Sequence, residues 1–259
     1  MTKFCTFASG SKGNAALLSV GNTHILIDMG ISCRKTCQSL DSLGLTPESL
    51  SAVLITHAHR DHIAGLATYT KKYRTPVIAT TDTAQELGNS VAGIRRQLHC
   101  VEWGEVCQIG AVAIRVLESS HDCAGSCAFH IRTPHGTVGY LTDTGYIPLE
   151  TADALAGVQL LLLESNHDVE MVTSGPYPDF LKERILGEYG HLSNEMAADF
   201  AVTSAKAGTQ TIVLAHLSRE NNAPGVALHT VGRSLEAIGY AGRLLVAPAD
   251  KMSEVFRLG

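Results

Sequence analysis

The sequence predicts an α/β fold, and three observations support this. Short, continuously apolar runs such as residues 53–55 and 158–163 are typical of strands buried on both faces. Stretches with helical periodicity, for instance residues 32–43 and 224–239, separate these runs along the chain. The chain has 259 residues, 45% of them hydrophobic, which is enough to bury a sizeable core, so we expect a single domain over residues 1–259.

Strands and helices alternate in order along the whole chain. The predicted strands cover residues 3–7, 15–20, 24–30, 53–55, 76–79, short pieces within 98–117, 136–145, 158–163, 211–214 and 244–246. The predicted helices cover residues 32–43, 63–73, 81–96, 194–206 and 224–239. Gly44 is a plausible stop for the first helix, while Ser193 as an N-cap and Pro224 at a first helical position begin the last two.

Composition narrows the class of protein and its partners. The net charge of −5 argues against a broad basic face, so a nucleic-acid substrate would have to be held locally, by metals and a few cations. The seven cysteines lack paired CxxC spacing and no positively charged leader precedes the first strand, so we expect a cytoplasmic protein with reduced thiols. No apolar run approaches membrane-spanning length, so we expect no membrane partner, and nothing indicates an oligomeric state.

The most informative stretch follows the buried strand at residues 53–55. It places four metal-capable side chains in six residues, namely His57, His59, Asp61 and His62. A strand that ends in a tight loop turns alternate side chains the same way, so His57 and His59 can converge on one ion. Asp61 and His62 then point to a neighbouring position, which predicts two ions a few ångströms apart. A polar loop with surface histidines is the alternative, and four ligands behind an aliphatic strand disfavour it.

This stretch closely resembles the His-x-His-x-Asp-His signature of the metallo-β-lactamase superfamily. The resemblance implies a four-layer αββα sandwich, in which two mixed β-sheets are flanked by helices and a dinuclear site lies at the sheet edges. It does not imply one substrate, because lactamases, thioesterases, lactonases, nucleases and flavo-diiron proteins all share the signature.

The resemblance supplies the remaining ligands and the cofactor. His121 matches the third metal motif, Asp143 in Asp-Thr-Gly matches the bridging carboxylate, and His216 matches the final ligand. Asp28 matches the carboxylate that orients the metal loop without binding metal. The implied cofactor is two divalent metal ions, zinc or manganese, held by His57, His59, Asp61, His62, His121, Asp143 and His216. A cysteine ligand from Cys123 or Cys127 is an alternative, although the family uses none there and packing is favoured.

Two further motifs point to a nuclease. Residues 9–14, Ser-Gly-Ser-Lys-Gly-Asn, resemble the opening of the YycJ (WalJ, VicX) group of nucleases on this fold, in which the loop borders the active site. Glu164 after a buried strand, followed by Gly-His-Leu-Ser at residues 190–193, resembles the pair that assists proton transfer in tRNase Z-type and YycJ-type phosphodiesterases. A phosphodiester leaving oxygen departs poorly unless protonated, so we assign His191 as the acid, held by Glu164. A helix-start histidine that contacts the backbone is the alternative, and the role of His167 is open.

Donor-rich residues complete the predicted site. Arg219, Asn221 and Asn222 follow His216 and offer donors for phosphate oxygens, and Asn14 is carried over from the opening motif. The interval from Asp143 to His216 is too short for the extra domain of β-CASP nucleases, and nothing resembles the arm that tRNase Z uses on tRNA.

These features predict a YycJ-like, two-metal phosphodiesterase that acts on nucleic acid. The resemblance implies a 5′ to 3′ exonuclease with DNA favoured over RNA, while the sequence itself leaves strand polarity and the choice of nucleic acid open. The catalytic residues would be Asp61, Glu164 and His191, with a metal-bridging hydroxide attacking phosphorus. A small-molecule metallohydrolase of the thioesterase or lactonase type is the first alternative, because it uses the same seven ligands and suits an acidic chain. A non-catalytic partner protein on a degenerate fold is the second, and the intact ligand set counts against it.

Overall fold

The computed structural model describes all residues, 1–259, and consists of two mixed sheets packed face to face between helices. The strands are β1 (Thr2–Ala8), β2 (Ala15–Val20), β3 (Thr23–Ile27), β4 (Ala52–Leu54), β5 (Val77–Thr80), β6 (Leu98–Val101), β7 (Val106–Ile109), β8 (Val112–Glu118), β9 (Cys127–Thr133), β10 (Gly136–Leu141), β11 (Leu160–Glu164), β12 (Thr211–Ala215), β13 (Arg243–Val246) and β14 (Phe256–Leu258). The helices are α1 (Cys33–Ser42), α2 (Arg60–Ile63), α3 (Leu66–Lys72), α4 (Thr81–Ser90), α5 (Leu149–Leu155), α6 (Val169–Ser174), α7 (Asp179–Leu186), α8 (Asn194–Lys206) and α9 (Pro224–Ala237). Short 3₁₀ helices cover Pro47–Ser49 and Ile94–Arg96.

Each sheet has seven strands, and each is antiparallel at one end and parallel at the other. The first has the order β14-β1-β2-β3-β4-β5-β6 and the second β13-β12-β11-β10-β9-β8-β7. Pairing is parallel from β3 to β6 in the first sheet and from β10 to β13 in the second.

Strand periodicity creates the layers. Leu161 and Leu163 belong to the cluster that α8 and α9 cover, whereas Leu160 and Leu162 face the other sheet. Successive side chains of a strand point to opposite faces, so a strand covered on both sides must be apolar throughout. A third cluster packs α1, α3 and α4 on the outer face of the first sheet. The predicted four-layer αββα sandwich is confirmed.

The structure corrects two helix predictions. The helix predicted over residues 63–73 is interrupted at residues 64–65, between α2 and α3. Gly65 packs so close to Ile31 at this break that a Cβ there would come within 2.2 Å of the Ile31 carbonyl oxygen. The helix predicted over 81–96 ends at Ser90, and Gly93 adopts a left-handed φ of 82° before the 3₁₀ turn.

Several elements carry no clear sequence signal. Strand β9 and helices α5, α6 and α7 were not predicted, and α7 buries none of its residues. A helix without an apolar stripe has no periodicity to detect. None of the helices combines the length and apolar character needed to cross a bilayer.

Candidate metal centre

The candidate ligands lie where parallel strands of both sheets end. Asp28 follows β3, the 55–62 stretch follows β4, Asp143 follows β10, Glu164 ends β11 and His216 follows β12. Parallel neighbours end at the same edge of a sheet, so the side chains that follow them converge. Residues far apart in sequence thereby reach one site.

Three histidines form the first ligand group. His57, His59 and His121 each offer a ring nitrogen, and these atoms lie within 4.8 Å of one another. His59 Nδ1 and His121 Nε2 are 3.2 Å apart. His57 and His121 are buried, whereas the side chain of His59 is 34% exposed, so one side of this group opens to solvent.

The second ligand group mixes a carboxylate with two imidazoles. Asp61 Oδ2 lies 3.5 Å from His62 Nε2 and 3.4 Å from His216 Nε2. Asp143 lies between the groups, since its carboxylate clusters with His57 of the first and His62 of the second. The seven predicted ligands are therefore brought together, in the two sets that the spacing of the motif predicts.

Buried partners orient the imidazoles. His62 Nδ1 lies 2.8 Å from Asp28 Oδ2, and His216 Nδ1 lies 2.8 Å from Glu164 Oε1. His121 Nδ1 donates to the Gly190 carbonyl at 3.1 Å. A partner on Nδ1 leaves Nε2 free to bind a metal, and such contacts also set the ring angle. The position of Asp28 matches its predicted orienting role.

The two buried histidines of the first group, His57 and His121, favour the neutral form. Burial lowers the pKa of His57 well below its ordinary value, and the neighbouring His62 lowers it further. Burial also lowers the pKa of His121, against the opposing charge of Asp143. Neutral imidazole is the form that binds metal, so these side chains need lose no proton on binding.

Carboxylates surround the two histidines of the second group and raise their pKa values. Burial alone would lower the pKa of His62, but Asp143 and Asp28 raise it well above its ordinary value. Burial likewise opposes the charge of His216, yet Asp143 and the bond to Asp61 raise its pKa to about 10. Without an ion, protons on imidazole balance the charge of the acids.

This donor set fits divalent metal. Asp28, Asp143 and Glu164 are buried, and all of their ion pairs are with histidines. Burying carboxylates that no lysine or arginine pairs with costs free energy, and a bound dication would offset that cost. His57 Nε2 and Asp143 Oδ2 are buried without a hydrogen-bond partner. Two ligands on one tetrahedral zinc lie roughly 3.3 Å apart, close to the 3.2–3.5 Å spacings within the groups.

Backbone strain is concentrated at the same place. Asp28, Asp143 and His216 are the three non-glycine residues with positive φ, at 60°, 55° and 56°. The left-handed conformation is unfavourable for such residues and persists only where surrounding structure enforces it. Each follows the end of a strand, so strain bends the chain to aim these side chains at the centre.

Two residues of the first sheet hold the metal loop close. Gly30 permits the approach, because a Cβ there would lie 1.5 Å from the Asp61 carbonyl oxygen. Asn14 is buried, donates its side-chain amide to the Gly10 carbonyl, and lies 3.0 Å from His62 Nε2 and 3.3 Å from Asp61 Oδ2. Asn14 thus borders the ligands themselves, and its position favours support of the second group over contact with an open substrate surface.

Glu164 connects the second group to His191. Its Oε1 lies 2.8 Å from His216 Nδ1 and 2.9 Å from His191 Nδ1, while its Oε2 accepts from the Thr144 and Leu192 backbone N–H groups. The carboxylate is buried, and although burial opposes its charge, His191 lowers its pKa to about 2. The side chain of His191 is 21% exposed, so its ring can reach a substrate.

The predicted substrate-binding residues separate into different environments. Asn221 lines a cavity of about 180 Å³ together with His191 and His121. The Asn222 amide instead donates to the Ser165 and Asn166 carbonyls inside the protein. Arg219 pairs with Asp250 and does not line the cavity. The positions of Asn222 and Arg219 therefore give no support to phosphate binding in this arrangement.

Asp122 and Arg184 are site residues that the sequence pattern did not reveal. Asp122 Oδ1 lies 3.4 Å from His121 Nε2 and 3.6 Å from His59 Nε2, and its other oxygen accepts from Arg184 Nε at 2.5 Å. The adjacency of Asp122 to a ligand is a signal that was available, whereas Arg184 lies on α7, a helix with no signal of its own.

Three residues whose roles the sequence left open, Cys123, Cys127 and His167, lie close to the site. The Cys127 thiol is buried against the Thr56 carbonyl at 3.4 Å, and the Cys123 thiol faces Glu86 Oε2 at 3.7 Å. Neither cysteine belongs to a ligand group. His167 is buried, its Nδ1 has no hydrogen-bond partner, and burial lowers its pKa to about 4.

Comparisons with known proteins show the family and the fold of this chain. A family model described as a beta-lactamase superfamily domain matches residues 23–217. Exodeoxyribonuclease WalJ of Streptococcus pneumoniae is 36% identical over 236 residues, which cover 90% of this chain and 88% of WalJ. Exodeoxyribonuclease YycJ of Bacillus anthracis is 33% identical over 238 residues, covering 92% of this chain and 90% of YycJ. The crystal structure of zinc-bound PqqB from Methylobacterium extorquens covers 98% of this chain and 100% of its own with a TM-score of 0.74 at 14% identity, which shows a shared fold.

Proposed function

Because this chain belongs to the metallo-β-lactamase superfamily and is a metal-dependent hydrolase, we propose that it hydrolyses phosphodiester bonds in nucleic acid. The finer proposal is a 5′ to 3′ exonuclease that acts on DNA. The observation that carries phosphodiester hydrolysis is the Glu164–His191 pair beside the two ligand groups, since a phosphodiester needs a proton donor that metal ligands alone do not supply. The similarity to two exodeoxyribonucleases over nine-tenths of the chain supports DNA as the substrate.

We assign the metal-holding roles to the seven clustered residues. The first group would hold one ion and the second group the other, with Asp143 between them. Zinc and manganese both suit imidazole and carboxylate ligands. When bound, such ions supply Lewis acidity and lower the pKa of a coordinated water. The side chain of Asp61 is 24% exposed, so we assign it a catalytic as well as a ligand role, with its carboxylate orienting the attacking water.

His191 is the residue that would deliver a proton. Glu164 accepts from its Nδ1, so Nε2 is the nitrogen left to donate to the leaving oxygen. The same Glu164 oxygen contacts His216, so one buried carboxylate orients a metal ligand and the acid together. The backbone donors Thr144 and Leu192 hold that carboxylate in place.

The test is cleavage of end-labelled single- and double-stranded DNA and RNA by manganese- or zinc-loaded enzyme. Ladders that shorten from the 5′ end on DNA, and that Asp61→Ala abolishes, are the expected result. His191→Ala should slow DNA cleavage by roughly 10²–10⁴-fold but leave a p-nitrophenyl phosphodiester nearly unaffected, because that leaving group needs no proton. Intact nucleic acid after incubation with metal-loaded enzyme would overturn the proposal and favour a thioesterase or lactonase, to be tested on those esters.

A further inference from the structure

A surface segment lies over the candidate metal centre, and its side chains are unlike the rest of the surface. We call residues 169–190, from the start of α6 to Gly190, the α6–α7 segment. Four large aromatic side chains of this protein are well exposed, and two of them, Phe180 at 72% and Tyr189 at 62%, belong to this segment. Large exposed apolar side chains that cluster mark interaction sites more often than chance.

The segment is attached to the site at one end and loosely packed elsewhere. Glu188 accepts from Ser120 Oγ at 2.6 Å, and Gly190 accepts from His121 Nδ1 at 3.1 Å, so Tyr189 is held between two fixed carbonyls. Helix α7 buries no residue and gains little from hydrophobic packing. Its polar attachments to the site are the Arg184–Asp122 pair and the Ile185 carbonyl, which accepts from the His191 backbone N–H at 3.1 Å; a bond from Lys182 Nζ to the Thr173 carbonyl lies within the segment.

The cavity of about 180 Å³ lies between this segment and the ligands. Tyr177, Tyr189 and Arg184 line one side, while His191 and Asn221 line the other. The Arg184 side chain is 56% exposed, and its bond to Asp122 uses only Nε. A guanidinium has five N–H donors, so its terminal nitrogens remain able to donate hydrogen bonds to a phosphate.

The charge of the chain bears on how a nucleic acid could be held here. A net charge of −5 argues against a broad basic surface, so neutralisation of many phosphates by surface cations cannot supply most of the binding, and local contacts must add to it. Stacking of bases on aromatic side chains is the other general means by which proteins hold single strands. The α6–α7 segment places one well-exposed aromatic ring, Tyr189, and one arginine, Arg184, in the cavity that also contains His191, the proton donor assigned to the site.

We propose that the α6–α7 segment is the binding site for the terminal nucleotide of the substrate, taken in unpaired form. Tyr189 stacks on its base and Arg184 binds its phosphate. This inference rests on the proposed function and specifies its substrate as a strand end whose last base is unstacked from its neighbours. Tyr189 and Arg184 are then positioning residues, which act on substrate binding and leave the chemical step unchanged.

The first experiment measures KM and kcat on a single-stranded oligonucleotide and on copies that are abasic at the 5′ or the 3′ terminal nucleotide. Tyr189→Ala should raise KM for the complete strand roughly 5- to 150-fold with little change in kcat, whereas Tyr189→Phe should keep KM. On the copy that lacks the base at the attacked end, Tyr189→Ala and wild type should have the same KM. Equal KM for Tyr189→Ala and wild type on the complete strand would overturn the inference.

The role of Arg184 is tested in the same way, with a matched control. Arg184→Gln should raise KM about tenfold, because a hydrogen bond to a charged phosphate is lost. Arg243 is also 56% exposed and paired with an acid, Glu254, at 2.7 Å, so Arg243→Gln controls for loss of an exposed ion pair. Trp103→Ala controls for loss of an exposed aromatic ring. Equal effects of Arg184→Gln and Arg243→Gln would remove Arg184 from the proposal.

A binding measurement separates the two proposals from each other. Fluorescence anisotropy of a labelled oligonucleotide in EDTA reports the segment without catalysis. The inference is supported if Tyr189→Ala binds the complete strand more weakly than wild type does and if this difference disappears on the abasic copy. This holds even if the enzyme cleaves no nucleic acid, in which case only the proposed function fails. Normal cleavage with identical binding by wild type and Tyr189→Ala would leave the proposed function standing and overturn the inference, as would wild type that binds no oligonucleotide.

Discussion

The two ligand groups lie side by side, yet they hold their histidines in opposite electrostatic states. His121 in the first group is oriented by a backbone carbonyl, and burial lowers its pKa. His62 and His216 in the second group are oriented by carboxylates that raise their pKa values despite burial. The difference indicates that the buried histidines of the first group can bind a metal at neutral pH without losing a proton, whereas those of the second group must exchange protons for one.

The largest effect is expected from replacing Asp143, the residue that lies between the two groups. Asp143→Asn should lower DNA hydrolysis by on the order of 10³-fold, because a buried charge next to both groups is lost. Metal content by mass spectrometry should fall by one ion or more. Asp250→Asn, an exposed acid paired with Arg219, is the control and should change neither quantity. Full metal content with near-normal rates would show that Asp143 is dispensable.

The orienting carboxylate of the second group gives a smaller effect. Asp28→Asn should weaken metal binding at the second group by roughly 10- to 100-fold, because His62 loses the partner that sets its ring. The first group should keep its affinity, since none of its histidines bonds to Asp28. Calorimetric titration of metal-free protein would show one tight and one weakened site. Equal weakening of both sites would argue against two separable groups.

The dependence of metal binding on pH should also differ between the groups. The pKa values of His62 and His216 are raised, that of His216 to about 10, so at neutral pH a metal must displace their protons. Affinity at the second group should therefore rise from neutral pH towards 10, by up to about tenfold per pH unit for each displaced proton. The pKa values of His57 and His121 are lowered, so they are neutral above about 6.5 and the first group should show little change. Titrations at several pH values in buffers of different ionisation enthalpy would detect the released proton. A flat profile at both sites would contradict the assigned proton balance.

The smallest effect is expected at the rim of the second group. Arg219 pairs with the exposed Asp250 and lies outside the cavity, unlike Arg184 beside the first group. Exposed ion pairs contribute little, so Arg219→Gln should change KM for DNA by no more than about twofold. A large rise in KM would restore Arg219 as a substrate-binding residue and place the substrate path on that side.

Much of the site was predictable because its residues follow buried strands. The apolar runs that end at Asp28, His57, Glu164 and His216 are visible in sequence, and parallel strands bring their ends together. The pairing of Asp61 with His62, and of His57 with His59, follows from local spacing alone. The roles of these residues remain predictions, while the superfamily and the sandwich fold are confirmed.

Local pattern could not distinguish neighbours with different surroundings. Asn221 and Asn222 are adjacent amides of one loop, yet one lines the cavity and the other closes a buried network. Both are almost fully buried, so exposure does not separate them either. Only the direction of each side chain in the folded chain decides which can meet a substrate.

The sequence by itself determined the α/β class, the order of most strands and helices and the spacing of the metal loop, while the sandwich came from the family resemblance. The first three depend on periodicity or on residues within one turn of chain, which is local information. The tertiary structure decided the left-handed backbone at Asp143 and His216, the contact of Glu164 with two histidines and the position of Arg184 beside Asp122. These features join residues from separate elements, and their energies arise only when the sheets and helices have packed.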